Sequence, residues 1–210
     1  MKYFNINDEE IIEFGIKETI FVPNHKVNDE WARLKNTILS GNGKVFVRGY
    51  GREAKNTSLY MDLYKEIFGH NQFYKDPTNN HEPTKILKKL TGYARQEKPT
   101  VKYEQIRNYQ VSHIFGKTKN PFLFTAPWNI VYVPKIIDPF TGHESKGELT
   151  ELFQKKFLSY FHDYYYEYIK EFNEIMLDIK PRLEEYFYDR YQFNPKFRDD
   201  ALEQFSPIIL

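Results

Sequence analysis

Cysteine is absent from all 210 residues, which excludes a disulfide framework, a thiolate metal site and a cysteine nucleophile. The opening stretch, M-K-Y-F-N-I-N-D-E-E, lacks an apolar run of signal-peptide length, so secretion by that route is not expected and a cytoplasmic protein is the simplest reading. Long hydrophobic runs are scarce as well. The most apolar window, Pro121 to Phe140, is about membrane-spanning length, but Pro127, Pro134 and Pro139 would break a helix there repeatedly, so no membrane partner is expected. Neither an internal repeat nor a low-complexity segment is present. A chain of this length fits one sizeable domain with a single core.

Net charge is also nearly absent, at +1. The balance conceals an uneven distribution, because residues 1–43 carry −2, residues 44–120 carry +8 and residues 121–210 carry −5. A basic middle between acidic ends is the pattern of a surface that faces a polyanion, since phosphate binding draws on clustered Lys and Arg. The alternative is a solvated charged face that binds nothing.

Periodicity and turn chemistry give the order of elements. Residues 1–40 read as a short strand or coil and then one helix capped by Asn28 or Asp29, with Trp31, Leu34 and Ile38 on its core side. Val45-Phe46-Val47 reads as a strand. It leads through Arg48-Gly49-Tyr50-Gly51-Arg52 into a helix from Asn56 or Thr57 to Phe68, closed by Gly69. That glycine-rich turn, flanked by Arg48, Arg52 and Lys55, is either a plain turn or a phosphate contact made by backbone N–H groups. Residues 70–83 read as a polar loop, and a helix over about Thr84 to Gln96 follows. From Ser145 to about Tyr191 apolar residues recur at three and four, including Leu152, Phe153, Phe157, Phe161, Tyr168, Phe172 and Ile179, with Pro181 expected to kink or divide the run. A continuous helix from Glu148 to Ile179 would be roughly 48 Å long, more than a small core needs, and suggests a homodimer. The tail from Asn194 to Leu210 reads as loosely structured except where its terminal Ile-Ile-Leu could dock.

The stretch from Tyr109 to Glu144 concentrates residues that packing does not explain. A short strand ends in Ser112-His113-Ile114, a loop rich in Lys, Asn and Pro follows, and a second strand runs Asn129-Ile130-Val131-Tyr132-Val133, with Asp138 and His143 beyond it. A His, an Asn and a carboxylate in that order suit a site that holds one divalent metal and one activated water.

On those residues the stretch resembles the HNH, or His-Me finger, nuclease superfamily. The resemblance implies a ββα-metal core in which His113 is the general base, Asn129 holds the base or the finger loop, and Asp138, with His143 as a second candidate, binds a divalent metal such as Mg²⁺. Ser112 departs from the family, which carries Asp or His before the base. Pro139 disfavours helical backbone at Asp138 and points to a capping position for it. The expected fold is α+β, a ββα-metal core (109–144) embedded among helices within residues 1–144, with a long helical segment, 145–210, packed on the same domain. The expected function is a metal-dependent DNA endonuclease, with RNA an open alternative substrate, whose phosphate contacts are Arg48, Arg52, Lys55, Lys117 and Lys119. The competing reading is a non-catalytic nucleic-acid-binding or protein-interaction module that dimerises through its aromatic helix.

Overall fold

A capping box opens the described chain: Asn7 Oδ1 accepts from the Glu10 N–H at 2.8 Å, and Glu10 Oε2 accepts from the Asn7 N–H at 2.8 Å. Two otherwise orphaned donors are thereby satisfied, which starts a helix that sequence reading assigned to strand or coil. The computed structural model describes residues 7–95, 102–142, 145–188 and 194–210. Along these the order is α1 (Asp8–Lys17), β1 (Ile20–Phe21), α2 (Asn24–Ser40), β2 (Val45–Val47), α3 (Thr57–Phe68), β3 (Phe73–Lys75), α4 (His81–Thr91), β4 (Tyr93–Ala94), β5 (Glu104–Gln105), β6 (Tyr109–His113) and α5 (Pro121–Phe124), and then β7 (Ile130–Pro134), α6 (Asp138–Thr141), α7 (Glu148–Tyr164), α8 (Tyr166–Tyr188) and α9 (Pro195–Gln204). A short 3-10 turn, Arg52–Ala54, precedes α3. The protein is α+β.

Three small sheets carry the strands: antiparallel β1-β7-β6, parallel β2-β3 and parallel β4-β5. In the first, Val111 lies opposite Tyr132 and His113 opposite Ile130, while Ser112 and Phe21 both lie opposite Val131. Directly paired residues point to the same face, so Val111, His113, Ile130 and Tyr132 share one face, and Ser112, Val131 and Phe21 the other. The first face meets α4, where the Tyr132 hydroxyl reaches the Thr84 carbonyl at 3.5 Å. The second is covered by α7, whose Phe161 meets Phe21 edge-on at 5.3 Å.

One apolar core spans both halves of the chain, from Ile12, Val27 and Trp31 through Tyr132 to Phe157, Phe172 and Phe197. Helices α7, α8 and α9 therefore share one core with the elements before them. The helical run divides at Tyr165, and Pro181 lies inside α8 without dividing it. Tyr165 is fully buried and donates its hydroxyl to the Val22 carbonyl at 2.6 Å, so the chain bends where that contact holds it. Pro181 is tolerated because the acceptor it leaves without a partner belongs to Leu177, which lies on the exposed side of the helix. Phe153, Phe157, Phe161, Phe172, Met176 and Ile179 are all buried within the chain, whereas Leu152 faces outward. Most of the stripe is thus spent on packing within the chain.

Two further readings change. The tail expected to be loose forms α9, while the burial of Ile208 beyond it agrees with a terminal Ile-Ile-Leu that docks. The polar loop 70–83 contains β3 and the start of α4, and α4 ends at Gly92, whose φ of 83° suits glycine, short of Gln96. Asp76 explains that early start. Fully buried, it accepts the backbone N–H groups of Thr78, His81 and Glu82 at 3.0, 3.0 and 2.8 Å. Replacing Asp76 with Ala leaves those donors unpaired, so the expected loss of stability is roughly 2–4 kcal/mol, to be read from urea unfolding at pH 7.

Candidate functional site

Strand β6 lies at the sheet edge, and the loop after it is tied shut by one side chain. Asn129, fully buried, accepts the Phe115 N–H at its Oδ1 (2.8 Å) and donates from Nδ2 to the carbonyls of Leu123 (3.0 Å) and Gly116 (3.3 Å). Its own carbonyl accepts the Ile114 N–H at 2.8 Å. Asn129 thus braces both ends of the loop instead of serving its own turn. Asn120 organises the loop's middle. Its Oδ1 caps α5 through the Phe122 N–H at 3.0 Å, and its Nδ2 donates to the Gln204 carbonyl at 3.0 Å.

The loop places Phe124 against His113. Their rings stack with centroids 5.7 Å apart and 15° between planes, and His113 Nε2 lies 2.9 Å from the Phe124 carbonyl oxygen. A carbonyl oxygen can only accept, so Nε2 carries the proton and a neutral ring keeps its lone pair on Nδ1. His113 is half-buried. Burial pushes its pKa down to about 4, the hydrogen bond to Phe124 opposes the shift, and the charge of Arg48 adds to it. At neutral pH His113 is therefore a neutral imidazole.

His113 opens onto a groove of about 910 Å³ that Arg48, Gln110, Asp138, Thr141 and the C-terminal residues also line. Asp138 opens α6 as its first helical residue with Pro139 second, so it rides on the helix instead of capping it. Its Oδ2 accepts from Gln110 Nε2 at 2.8 Å, and Ser112 Oγ meets Thr141 Oγ1 at 3.2 Å. Gln110 and Ser112 alternate with His113 along β6, so the Asp138 group and the imidazole approach the groove from opposite faces of the strand. His143 lies outside the described residues.

Among the described residues no three His, Asp or Glu side chains gather at one point. Among the described residues, the donors beside β6 are one carboxylate, Asp138, with the neutral oxygens of Ser112, Thr141 and Gln110. That set fits Mg²⁺, which keeps several waters and takes one or two carboxylates plus substrate phosphate, better than a cation needing a full protein cage.

The five expected phosphate contacts separate. Arg52 and Lys55 are exposed on the 3-10 turn, outside the groove, and Lys55 pairs with Glu53 at 2.9 Å. In the glycine-rich turn the Gly49 N–H goes to Asn79 Oδ1 and the Tyr50 N–H to Thr57 Oγ1, and just beyond it the Asn56 N–H goes to the Tyr50 carbonyl. Those donors are not available to cradle a phosphate. Lys117 and Lys119 line the groove, but Lys117 donates to the Glu203 carbonyl and Ser206 Oγ, and Lys119 pairs with Asp200. Burial pulls the Lys117 pKa down while the nearby Glu203 charge opposes the shift. Arg48 also lines the groove and makes no hydrogen bond or ion pair among the described residues.

A family profile described as "Uncharacterised protein PM1201" matches residues 22–210. The chain belongs to the PM1201 family. A relative of that name in Pasteurella multocida (strain Pm70) is 45% identical over 188 residues, covering 88% of this chain and 82% of the relative. No solved structure matches.

In this member of the PM1201 family, sequence reading missed Phe124, Gln110 and Thr141. Gln110 and Thr141 carried a weak signal, since a strand polar at Gln110 and Ser112 must present them to something other than a core. Phe124 acts through its backbone carbonyl and carried none.

The folded His113 pKa of about 4 lies below its unfolded value of 6.5. Between these values the unfolded chain binds the extra proton, so stability is intact above pH 6.5 and is lost as pH falls toward 4, by on the order of 3 kcal/mol from this group. Chemical unfolding measured across that interval should show the slope, and His113→Gln, which keeps a donor for Phe124, should flatten it. Asn129→Ala should cost roughly 2–4 kcal/mol, because buried loop groups lose their partners.

Proposed function

We propose that this PM1201-family protein is a metal-dependent DNA endonuclease of the HNH type, with β6, β7 and the α6–α7 segment forming its ββα core. The observation that carries the reading is His113: a neutral imidazole whose Nε2–H is pinned by a backbone carbonyl, in a groove that also holds Arg48 and Asp138. A base must be unprotonated and oriented before it can act, and both conditions are met at neutral pH.

In the proposed reaction His113 Nδ1 takes a proton from water as the water oxygen bonds to phosphorus and the bond from phosphorus to the leaving oxygen breaks. The leaving oxygen is protonated from solvent. Asn129 keeps the loop, and through Phe124 the imidazole, in register. Asp138, with Ser112 and Thr141 beside it, would hold the divalent ion. When bound, that ion stabilises charge on the phosphate and the leaving oxygen.

The second reading, a nucleic-acid-binding module without catalysis, is favoured by the neutral Ser112 and by the single carboxylate that the described residues place on that side of the groove. Incubating pure protein with plasmid DNA and Mg²⁺ or Mn²⁺ decides between them. The nuclease reading expects nicking that EDTA abolishes and that His113→Ala lowers by roughly 10²–10⁴ with DNA binding retained. Binding that leaves the plasmid intact supports the module. With His113 neutral down to about 4, this base should impose no fall in cleavage between pH 8 and 6. A rate that tracks an ordinary histidine titration in that range would contradict the lowered pKa. Binding should weaken with salt, as Lys and Arg contacts to phosphate do, and a flat salt dependence would count against a polyanion ligand.

A further inference from the structure

We infer that Arg48 is the residue that holds the phosphate under attack, so that the groove's ligand is a phosphate-bearing anion seated between the Arg48 guanidinium and the His113 imidazole. This deepens the proposed nuclease reading and rests on it for the chemistry, though not for the binding.

The inference follows from where the cations of the basic segment are spent. Of those expected to meet phosphate, Arg52 and Lys55 lie outside the groove, and Lys117 and Lys119 are engaged by the C-terminal segment. Arg48 remains. Its residue is half-buried and lines the groove with His113, and its charge is felt at the imidazole. A guanidinium on the groove wall without a protein partner among the described residues has its donors open to an anion.

The backbone around Arg48 is held on both sides. Val47, fully buried, pairs with Lys75 in the β2-β3 sheet and accepts the Asp76 N–H at 2.9 Å, while the Gly49 N–H is taken by Asn79 Oδ1 at 2.8 Å. The side chain therefore leaves a rigid base, as positioning of a reacting group requires. A guanidinium presents a planar fork that matches two non-bridging phosphate oxygens, which an ammonium does not. Asp138 approaches from the other face of β6, bonded to Gln110, and Glu203 lies beside Lys117.

The test uses the whole protein, wild type and the variants Arg48→Lys and Arg48→Gln, each first shown to unfold cooperatively. Inorganic phosphate is added at neutral pH while the imidazole resonances of His113 are followed by NMR. Phosphate should shift them in wild type, less in Arg48→Lys and not in Arg48→Gln. With DNA and Mg²⁺, Arg48→Gln should lower kcat by roughly 10²–10³ with a smaller change in KM, and Arg48→Lys should recover part of the loss. No phosphate response in wild type, or an equal response in Arg48→Gln, overturns the assignment, as does an unchanged kcat. If wild type cuts no DNA yet its His113 still answers phosphate through Arg48, the nuclease reading fails and the anion site stands.

Discussion

The amide of Asn129 is the interaction on which the rest of the groove depends. With one acceptor and two donors in a fixed plane, it holds Phe115, Gly116 and Leu123 at once, and the loop between β6 and β7 closes around it. That loop carries everything that defines His113: the ring it stacks on and the carbonyl that selects its tautomer. Asp at the same position would lack both donors, and Ser would lack the reach. A fully enclosed polar side chain is tolerable because its donors and its acceptor oxygen all find partners.

The same loop is gripped from outside by the end of the chain. Asp200 receives Lys119 and also the Tyr60 hydroxyl, at 2.6 Å, while Asn173 exchanges bonds of 2.9 and 2.7 Å with the backbone of Ile208. The charge asymmetry along the sequence acquires a second meaning here. Part of the basic middle is complementary to the acidic C-terminal part of this chain, through Lys119 with Asp200 and Lys117 beside Glu203. An excess of +8 over 77 residues therefore overstates the charge left for an external polyanion.

Aromatic residues make up 18% of the chain, and the structure uses many of them to carry hydroxyls into the core without loss. Tyr60, Tyr64 and Tyr165 are buried, and each hydroxyl has an acceptor: Asp200, the Lys119 carbonyl and the Val22 carbonyl. Burial raises their pKa values, so they act as permanent donors that link distant segments. Two of the three links end on the loop after β6 or on the helix that grips it.

What the sequence determined by itself was local. Strand β2, helix α3 with its Gly69 stop, and the pair of strands around the loop were legible, because alternation, helical spacing and glycine caps are written in neighbouring residues. His113, Asn129 and Asp138 stood out for the same reason, as polar residues where an apolar strand or a plain turn needed none. Tertiary structure decided the rest. It broke the helical run at Tyr165, where a buried hydroxyl bonds 143 positions away, and not at Pro181. It started α4 early because Asp76 is buried beneath it. It also chose which cations face the groove, since the partners of Lys117 and Lys119 lie more than 80 residues on. A side chain's availability depends on who else reaches it, and that is a property of the packed chain that no local pattern encodes.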